Sequence, residues 1–180
     1  MTPSEAIVRR NLTLGYVLLV SITLLALLAN QQHLPVGIAW NRSDSLPVGF
    51  YWFTPTRQPL QYEDKVCFEY TAPDWAKARH YFPEGSLLCK KVLGLPGDRI
   101  VREGDLVRLC NDLHCRDVGR VVTQDSAGRP VPAIELPETI PVGYTFLGVP
   151  EAKMSFDSRY LGLISINDIQ RTIHPLWVVE

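Results

Sequence analysis

Residues 86–98 read SLLCKKVLGLPGD, an apolar run that carries two adjacent lysines and ends in a turn. Leu-Pro-Gly-Asp is strong turn chemistry, and the run before it is typical of a β-strand. In a strand, Lys90 lies on one face with Leu88 and Val92, and Lys91 lies on the other. One lysine therefore points inward if either face belongs to a core. The alternative is a solvated edge strand whose lysines discourage aggregation.

Beyond residue 30, prolines and glycines interrupt the chain at short intervals, with brief β-branched and aromatic runs between them. This pattern predicts a mainly β domain. One short soluble helix is expected over residues 73–80, and Arg-Glu-Gly-Asp at 102–105 predicts the tip of a hairpin. The predicted strands cover residues 49–53, 65–70, 87–93, 100–103, 106–109, 118–123, 144–148 and 163–166.

Length and charge limit the possible functions. The chain has 180 residues and a formal net charge of -1, with a sequence pI near 6.4. This length suits one folded domain of ordinary size. Proteins that bind nucleic acid usually carry a strongly basic face, so nucleic acid is not expected as a partner.

A dense apolar block lies near the start of the chain. Residues 12–29 read LTLGYVLLVSITLLALLA without a charge, close to the ~20 residues that cross a hydrocarbon core. We predict a cytoplasmic N-terminus over residues 1–11, a transmembrane helix over residues 12–30 and an exported domain over residues 31–180. The alternative is a cleaved signal peptide, whose apolar region is typically ~7–15 residues long.

The charges beside this block predict its orientation. Arg9 and Arg10 directly precede the block, and the four residues 30–33 that follow it contain no Lys or Arg. Positive charges tend to stay on the cytoplasmic side of a membrane. The long segment that follows the block is therefore expected to be exported.

The cysteine content agrees with export, because disulfides form and persist in oxidising compartments. Cys110 and Cys115 bracket a short polar loop, and we predict that they pair. Cys67 and Cys89 lie in strand-like runs, where they either join neighbouring strands or stay free. Zinc is the competing explanation because His114 is nearby, but the usual CxxC spacing is absent. No metal or other cofactor is predicted.

The segment SDSLPVGFY, residues 43–51, contains two serines. A serine hydroxyl needs a positioned base to act as a nucleophile. A buried lysine is one candidate for that base, because burial disfavours the charged ammonium and lowers the pKa of lysine towards neutrality. The histidines beyond the apolar block lie in no recognisable serine-hydrolase motif: His33, His80, His114 and His174.

Three motifs resemble those of the bacterial type I signal peptidases, and they follow the order of that family along the chain: a serine box, a lysine box and a D-S-R box. Residues 90–98, KKVLGLPGD, resemble the lysine box K-[KR]-x-x-G-L-P-G-D, and residues 155–162, SFDSRYLG, resemble S-x-D-S-R-x-x-G. Residues 45–51, SLPVGFY, are one residue shorter before the proline than the S-M-x-P-T box of leader peptidases. They are similar to the S-x-P-x-G-x-Y box of the TraF-type conjugative-transfer signal peptidases.

The resemblance implies a fold and a set of site residues. The fold would be the β domain shared by the catalytic cores of LexA and the signal peptidases, behind an N-terminal anchor. Ser45 would be the nucleophile and Lys90 the general base. The resemblance also implies Asp157 as a supporting acid among the catalytic residues, with Arg159 as its basic partner. Ser155 would position the lysine amine, and Ser43 would help to bind the oxyanion.

The function that the resemblance implies is a serine endopeptidase of the bacterial inner membrane, with its catalytic domain in the periplasm, that matures a conjugative pilin precursor. An acyl-enzyme resolved by the substrate's own N-terminus would give a cyclic peptide. The expected partners are a membrane-held peptide or protein substrate, the lipid bilayer and proteins of the conjugation machinery. Two alternatives stay open: a general leader peptidase that removes signal peptides from exported proteins, and an inactive scaffold subunit of a conjugation or secretion complex.

Overall fold

The protein consists of two compact units, Met1–Gly37 and Ile38–Glu180. The computed structural model describes residues 3–29, 36–43, 45–152 and 154–179. Along these ranges the elements are α1 (Pro3–Ala29), β1 (Gly37–Asn41), β2 (Gly49–Pro55), β3 (Lys65–Glu69), α2 (Asp74–Lys77), β4 (Leu87–Gly94), β5 (Arg99–Glu103), β6 (Leu106–Cys110), β7 (Cys115–Arg120), β8 (Tyr144–Gly148), α3 (Ser158–Leu161), β9 (Ile164–Ser165) and β10 (Ile169–Val178).

The first unit contains helix α1, which includes the apolar block. Its described apolar side chains are exposed, among them Leu12, Leu18 and Leu25. Within the described ranges, no helix combines the length and the apolarity that a membrane crossing requires. Asn30, the last residue of the expected span, and His33 lie outside the described residues.

Two sheets form the second unit, so the prediction of a mainly β domain is confirmed. The larger sheet has the order β1-β2-β10-β3-β4-β8-β9, and the smaller one the order β5-β6-β7. Strand β10 pairs antiparallel with both β2 and β3. The chain therefore returns at its C-terminal end to complete the sheet that its first strands begin.

The predicted hairpin between β5 and β6 is confirmed. Glu103 pairs with Leu106 across the turn, and Gly104 adopts a φ of 64°, the left-handed conformation that glycine tolerates without steric cost. The third strand of this sheet, β7, begins at Cys115 and ends at Arg120. It therefore lies about three residues earlier than the expected 118–123.

Strands β1 and β10 were not predicted, and the predicted helix was too long. Pro175 lies within β10, where the register with β2 shifts between Pro175 and Trp177. Because proline cannot donate to a ladder, a proline inside a central strand is tolerated at such a bulge and argues against a strand when only the sequence is read. Helix α2 ends at Lys77 rather than at residue 80, where His80 has a φ of 50°.

Both cysteine pairs are disulfides. Cys110 and Cys115 are joined, as predicted, and they close the turn between β6 and β7. Cys67 and Cys89 are also joined, across the neighbouring strands β3 and β4. The sequence left open whether Cys67 and Cys89 form a cross-strand bond or stay free, and the structure shows the bond.

The large sheet is buried on both faces in its middle. One face packs into a cluster that includes Val66, Leu88 and Val92. The other face packs into the Leu46 cluster, which we define by its buried members Leu46, Tyr51, Phe53, Cys67 and Ile173. Residues that alternate along β3 and β4 therefore enter different cores, as the two-residue period of a strand requires.

Candidate active site

Ser45 and Lys90 are in direct contact. Lys90 Nζ donates to Ser45 Oγ at 2.8 Å, although 45 residues separate them in the chain. Ser45 lies in the loop between β1 and β2 and is half-buried, and Lys90 lies in the middle of β4. When the amine is neutral, the same contact allows the hydroxyl to donate to the nitrogen. A hydroxyl and a base at hydrogen-bond distance are the arrangement that an activated serine needs.

The structure distinguishes the two adjacent lysines. Lys90 is 3% exposed, on the same face of β4 as Leu88 and Val92. Lys91 points the other way and pairs with Glu151 at 2.9 Å and, more loosely, with Glu63 at 3.7 Å. The alternative of a solvated edge strand is wrong, because β4 lies between β3 and β8.

Burial makes the amine of Lys90 a usable base. Loss of hydration lowers the pKa of Lys90 from 10.5 to about 8; the negative charge of Asp157 raises it in part, and the positive charge of Arg159 lowers it. With a pKa near 8, roughly a tenth of the amine is neutral at pH 7, far more than in a solvated lysine. A general base works best when its pKa lies near the working pH.

Asp157 and Arg159 form a buried ion pair close enough to affect Lys90. Arg159 Nε donates to Asp157 Oδ1 at 2.9 Å, and its Nη2 donates to Oδ2 at 2.8 Å. Both side chains are almost completely excluded from solvent, at 1% and 0% exposure. Asp157 also caps helix α3 by accepting from the backbone N–H of Arg159. The pair acts on the base through its charges, because no hydrogen bond joins either residue to Lys90 in the described structure.

The guanidinium of Arg159 reaches further, to the small sheet. Its Nη1 donates to the carbonyl oxygen of Arg120 at 3.0 Å. At Gly119 an added Cβ would lie 2.5 Å from Nη1 of Arg159, and this glycine has a φ of 116°. A glycine at the end of β7 therefore leaves the space in which the arginine lies.

Ser155 lies in the same segment as the ion pair, but in the described structure it makes no hydrogen bond to the lysine amine. It is 3% exposed. Its Oγ has no hydrogen-bond partner among the described residues. The structure therefore places a buried and uncommitted hydroxyl two residues before Asp157.

Ser43 makes its side-chain hydrogen bond to Asn41 and not to Ser45 or Lys90. Its side chain is exposed, and its hydroxyl donates to Asn41 Oδ1 at 2.7 Å. Asp44, which separates the two serines, lies outside the described residues. The structure thus assembles Ser45 with Lys90 and leaves Ser43 in a neighbouring hydrogen bond.

Asn41 is a residue that sequence reading did not identify. Its Nδ2 donates to the carbonyl oxygens of Ser43, Leu46 and Pro47 at 3.0, 2.8 and 3.1 Å. Its Oδ1 accepts from the backbone N–H of Ser43 at 3.1 Å. One amide therefore organises the whole loop that carries Ser45. An asparagine before serine and proline signals a turn, but it does not indicate how many carbonyls the amide will bind.

Pro47, Gly49 and Tyr51 hold the second half of this loop. Tyr51 Oη donates to the carbonyl oxygen of Pro47 at 2.8 Å, and burial raises the pKa of Tyr51. A Cβ at Gly49 would collide with the backbone of Trp177 on β10. Each of these three residues of the serine motif therefore helps to hold the loop that carries Ser45.

The described histidines do not contact Ser45. His80 and His114 are exposed, and His174 lies against Trp52 with ring centroids 4.9 Å apart. The lysine is thus the base that the described structure brings to the serine.

A cavity of about 220 Å³ is lined by all five members of the Leu46 cluster, whereas neither Ser45 nor Lys90 is among its lining residues. Leu46 and Cys89, the direct sequence neighbours of the serine and the lysine, are among its lining residues. Most of its surface is apolar, with Ala39, Phe53 and Ile173 also in the lining. Its size and lining suit a small apolar side chain.

Comparison with known proteins places the chain in a family. The family model described as signal peptidase, peptidase S26, matches residues 9–177. This match covers nearly the whole chain, and the chain therefore belongs to the signal peptidase family of serine peptidases. A peptide or protein is accordingly its class of substrate. The resemblance to the type I signal peptidases is confirmed by this finding.

Solved structures include a similar protein at low identity. The chain is 16% identical to a signal peptidase I from Enterococcus faecalis V583, with a TM-score of 0.36, over 69% of this chain and 100% of that one. No curated protein sequence matches significantly.

Proposed function

We propose that this protein is a membrane-anchored serine endopeptidase in which Ser45 is the nucleophile and Lys90 the general base, and that it processes a conjugative pilin precursor. The observation that carries the catalytic assignment is the 2.8 Å contact between Ser45 Oγ and the amine of Lys90. Burial of that amine supplies the lowered pKa that a lysine base requires.

In the acylation step, Ser45 Oγ attacks the carbonyl carbon of the scissile peptide bond while its proton passes to Lys90 Nζ. The tetrahedral oxyanion then collapses, the C–N bond breaks, and Lys90 returns the proton to the leaving amine. The product of this half-reaction is an ester on Ser45. Splitting one difficult step into two easier ones is the general advantage of covalent catalysis.

In the second step, water or an amine attacks the ester carbonyl carbon and gives its proton to Lys90. The tetrahedral intermediate then collapses, the C–O bond to Ser45 breaks, and Lys90 returns the proton to Ser45 Oγ. Water gives a linear product. If the attacking amine is the N-terminus of the same peptide, the product is a ring and no water is consumed. We propose the cyclising route for this enzyme. Because both routes use the same two residues, the mass of the product distinguishes them.

The other residues act in support. Asp157 and Arg159 set the charge around Lys90, and Arg159 ties that segment to the small sheet. We assign the hydroxyl of Ser155, which has no hydrogen-bond partner among the described residues, to positioning the lysine amine. Ser43 is assigned to the oxyanion, and its hydroxyl must leave Asn41 to donate there. Preorganised donors at an oxyanion are usually the largest single contribution to acyl transfer.

The conjugative assignment rests on the serine motif. Its shortened spacing, S-x-P-x-G-x-Y, resembles the TraF-type enzymes rather than the leader peptidases. The contacts of Pro47, Gly49 and Tyr51 support the motif as one structural unit.

The membrane anchor is proposed from the sequence of residues 12–29, which carry no charge over a length close to the ~20 residues of a membrane span. The Arg9-Arg10 pair supports a cytoplasmic N-terminus and a periplasmic catalytic domain in the bacterial inner membrane. Extraction with alkaline carbonate tests the anchor: release of the intact chain into the soluble fraction would contradict it.

The decisive experiment is mass spectrometry of a pilin precursor that is co-expressed with the wild type, Ser45→Ala, Lys90→Ala or Lys91→Ala. Lys91→Ala is the matched control, because its side chain points away from the site. Processing by the wild type and the control, and none by the other two, is expected. Unchanged processing in Ser45→Ala and Lys90→Ala would reject the catalytic assignment and favour the inactive scaffold.

Two further readouts decide the finer assignments. Cleavage of an unrelated secretory preprotein as efficiently as the pilin precursor would favour the general leader peptidase. A product lighter by one water than the linear mature peptide would establish cyclisation, and the full linear mass would establish hydrolysis.

A further inference from the structure

The Cys67–Cys89 disulfide joins two residues that face each other directly in the large sheet. Cys67 on β3 is paired with Cys89 on β4, and the next pair along the ladder is Val66 with Lys90. The covalent bond is therefore one residue away from the base. A one-residue slip of β4 would move Lys90 to the opposite face of the sheet. A covalent bond between Cys67 and Cys89 prevents such a slip directly beside Lys90.

The disulfide also belongs to the packing beneath the nucleophile loop. Cys67 is 2% exposed and is a member of the Leu46 cluster, against which Cys89 packs. Leu46 directly follows Ser45. The two sulfur atoms thus lie in the cluster that connects the loop of the nucleophile to the strand of the base.

The disulfide and the amine lie on different faces of β4, because Cys89 and Lys90 are consecutive in the strand. The sulfur atoms therefore act on the lysine through the position of the strand and not by contact with its amine. The charged groups that act on Lys90 are Asp157 and Arg159. Both come from the segment that begins with Ser155, so the disulfide contributes no charge to this balance.

We propose that the Cys67–Cys89 disulfide is a positioning element of the catalytic site: it fixes the strand of Lys90 against the loop of Ser45 and thereby keeps the lysine amine aligned and out of water. This inference rests on the proposed function, in which Lys90 is the general base. Full activity then requires that the Cys67–Cys89 disulfide is oxidised.

The second disulfide provides a matched control. Cys110 and Cys115 close the turn between β6 and β7 in the small sheet. Neither residue is a member of the Leu46 cluster. Removing this bond also removes one disulfide from the chain, but it leaves the loop of Ser45 and the strand of Lys90 in place.

The first test compares the pH profiles of kcat/KM for C67V/C89V and C110V/C115V. Valine keeps both positions apolar and suits paired strands. In C67V/C89V the acidic limb should move upward by about one pH unit, with about a tenfold loss at pH 7, because more of the amine is then protonated. The control should keep the wild-type limb. Superimposable limbs for all three proteins, or equal shifts in both variants, would overturn the inference.

The second test is reversible and uses C110V/C115V as its background, so that Cys67–Cys89 is the remaining disulfide of the chain. Treatment with dithiothreitol should produce the same shift of the acidic limb, and reoxidation should restore the original profile. A fully reduced protein, confirmed by thiol alkylation and mass, that keeps the original limb would contradict the proposal. Circular dichroism of each sample verifies that the fold is retained.

A third measurement separates this inference from the proposed function. The titration of Lys90 in Ser45→Ala is followed by NMR of the reductively ¹³C-methylated amine, with Lys90→Ala to assign the signal. Opening the Cys67–Cys89 bond should raise its pKa. If Ser45→Ala still cleaves substrate, the proposed function fails, while this titration still decides the role of the disulfide. An unchanged titration with Ser45-dependent cleavage would reject the disulfide's role alone.

Discussion

Arg159 and Asp157 form a forked ion pair in which two parallel hydrogen bonds, of 2.9 and 2.8 Å, join the guanidinium to the carboxylate. Its two charges act on Lys90 in opposite directions, the carboxylate raising and the guanidinium lowering the pKa of the amine. The two charges therefore offset each other in part, and the effect of Asp157 is the larger of the two. Burial is left as the main cause of the lowered pKa of Lys90.

Arg159→Met should strongly destabilise the fold. The substitution leaves the carboxylate of Asp157 buried without its partner, which typically costs ~3–5 kcal/mol of unfolding free energy. Urea unfolding at pH 7 measures this loss. Lys77→Met, at the exposed pair of Lys77 with Asp74, is the control and should leave the unfolding midpoint unchanged. Equal midpoints for Arg159→Met and the wild type would contradict the prediction.

Asp157→Asn should move the acidic limb of kcat/KM to lower pH. The carboxylate favours the charged form of Lys90, so its removal lowers the pKa of the amine below about 8. The shift follows from a pH profile measured over the range from about 5 to 10. Glu151→Gln is the control, because Glu151 pairs with the outward Lys91. A limb that moves upward in Asp157→Asn would show that the carboxylate acts in another way.

Lys90→Met should stabilise the protein while it abolishes cleavage. A lysine whose pKa falls from 10.5 in the unfolded chain to about 8 in the fold costs up to ~3 kcal/mol when it is charged. This penalty is fully present below pH 8 and disappears as the pH rises to about 10.5. Wild-type stability should therefore rise over this window relative to that of Lys90→Met.

Chemical denaturation at pH 7 and at pH 10 checks the stability of Lys90→Met. Lys91→Met is the matched control, because Lys91 is paired with Glu151. The difference in stability between this variant and the wild type should not show the same rise with pH. If Lys90→Met were less stable than the wild type at pH 7, packing of the lysine stem would outweigh the cost of its charge.

Asn41→Asp should reduce kcat with little change in the fold. The amide donates to three carbonyl oxygens of the loop that carries Ser45, and a carboxylate in its place would repel them. A loss of about tenfold or more in kcat is expected, because a misplaced nucleophile forfeits alignment. Asn111→Asp is the control, since the Asn111 side chain accepts backbone N–H groups in a turn of the small sheet and a carboxylate can do the same. Equal rates for both variants would exclude a special role for Asn41.

Gly119→Ala should destabilise more than Gly128→Ala. Both glycines have positive φ, but a Cβ at Gly128 meets no atom within 4 Å, whereas at Gly119 it meets the guanidinium of Arg159 at 2.5 Å. Alanine at positive φ costs ~1 kcal/mol or more by strain alone, and Gly119→Ala adds displacement of a buried charge. Thermal unfolding of the two variants measures the difference, and equal melting temperatures would contradict it.

Local patterns were sufficient for much of the sheet. The strand around Lys90, the turn after it and the hairpin tip at Gly104 follow from alternation and turn chemistry, which act over a few residues. Strand β10 was missed because its Pro175 argues against a strand, and the bulge that accommodates it becomes visible only with β2 alongside. The extent of α2 was overestimated for a similar reason, since nothing local marks the turn at His80.

Through three motifs that resemble those of the type I signal peptidases, the sequence by itself predicted a serine, a lysine and a supporting acid as residues of the site. The resemblance to the signal peptidases already pointed to Lys90 rather than Lys91 as the base. Only the tertiary structure decided that the amine of Lys90 is buried against Ser45, that Asn41 holds the loop of Ser45, and that Cys67 and Cys89 are joined. The physical reason is that burial, which lowers the pKa of the lysine, and contacts between residues 45 positions apart arise from packing of distant strands. The pattern within any one strand does not contain that information.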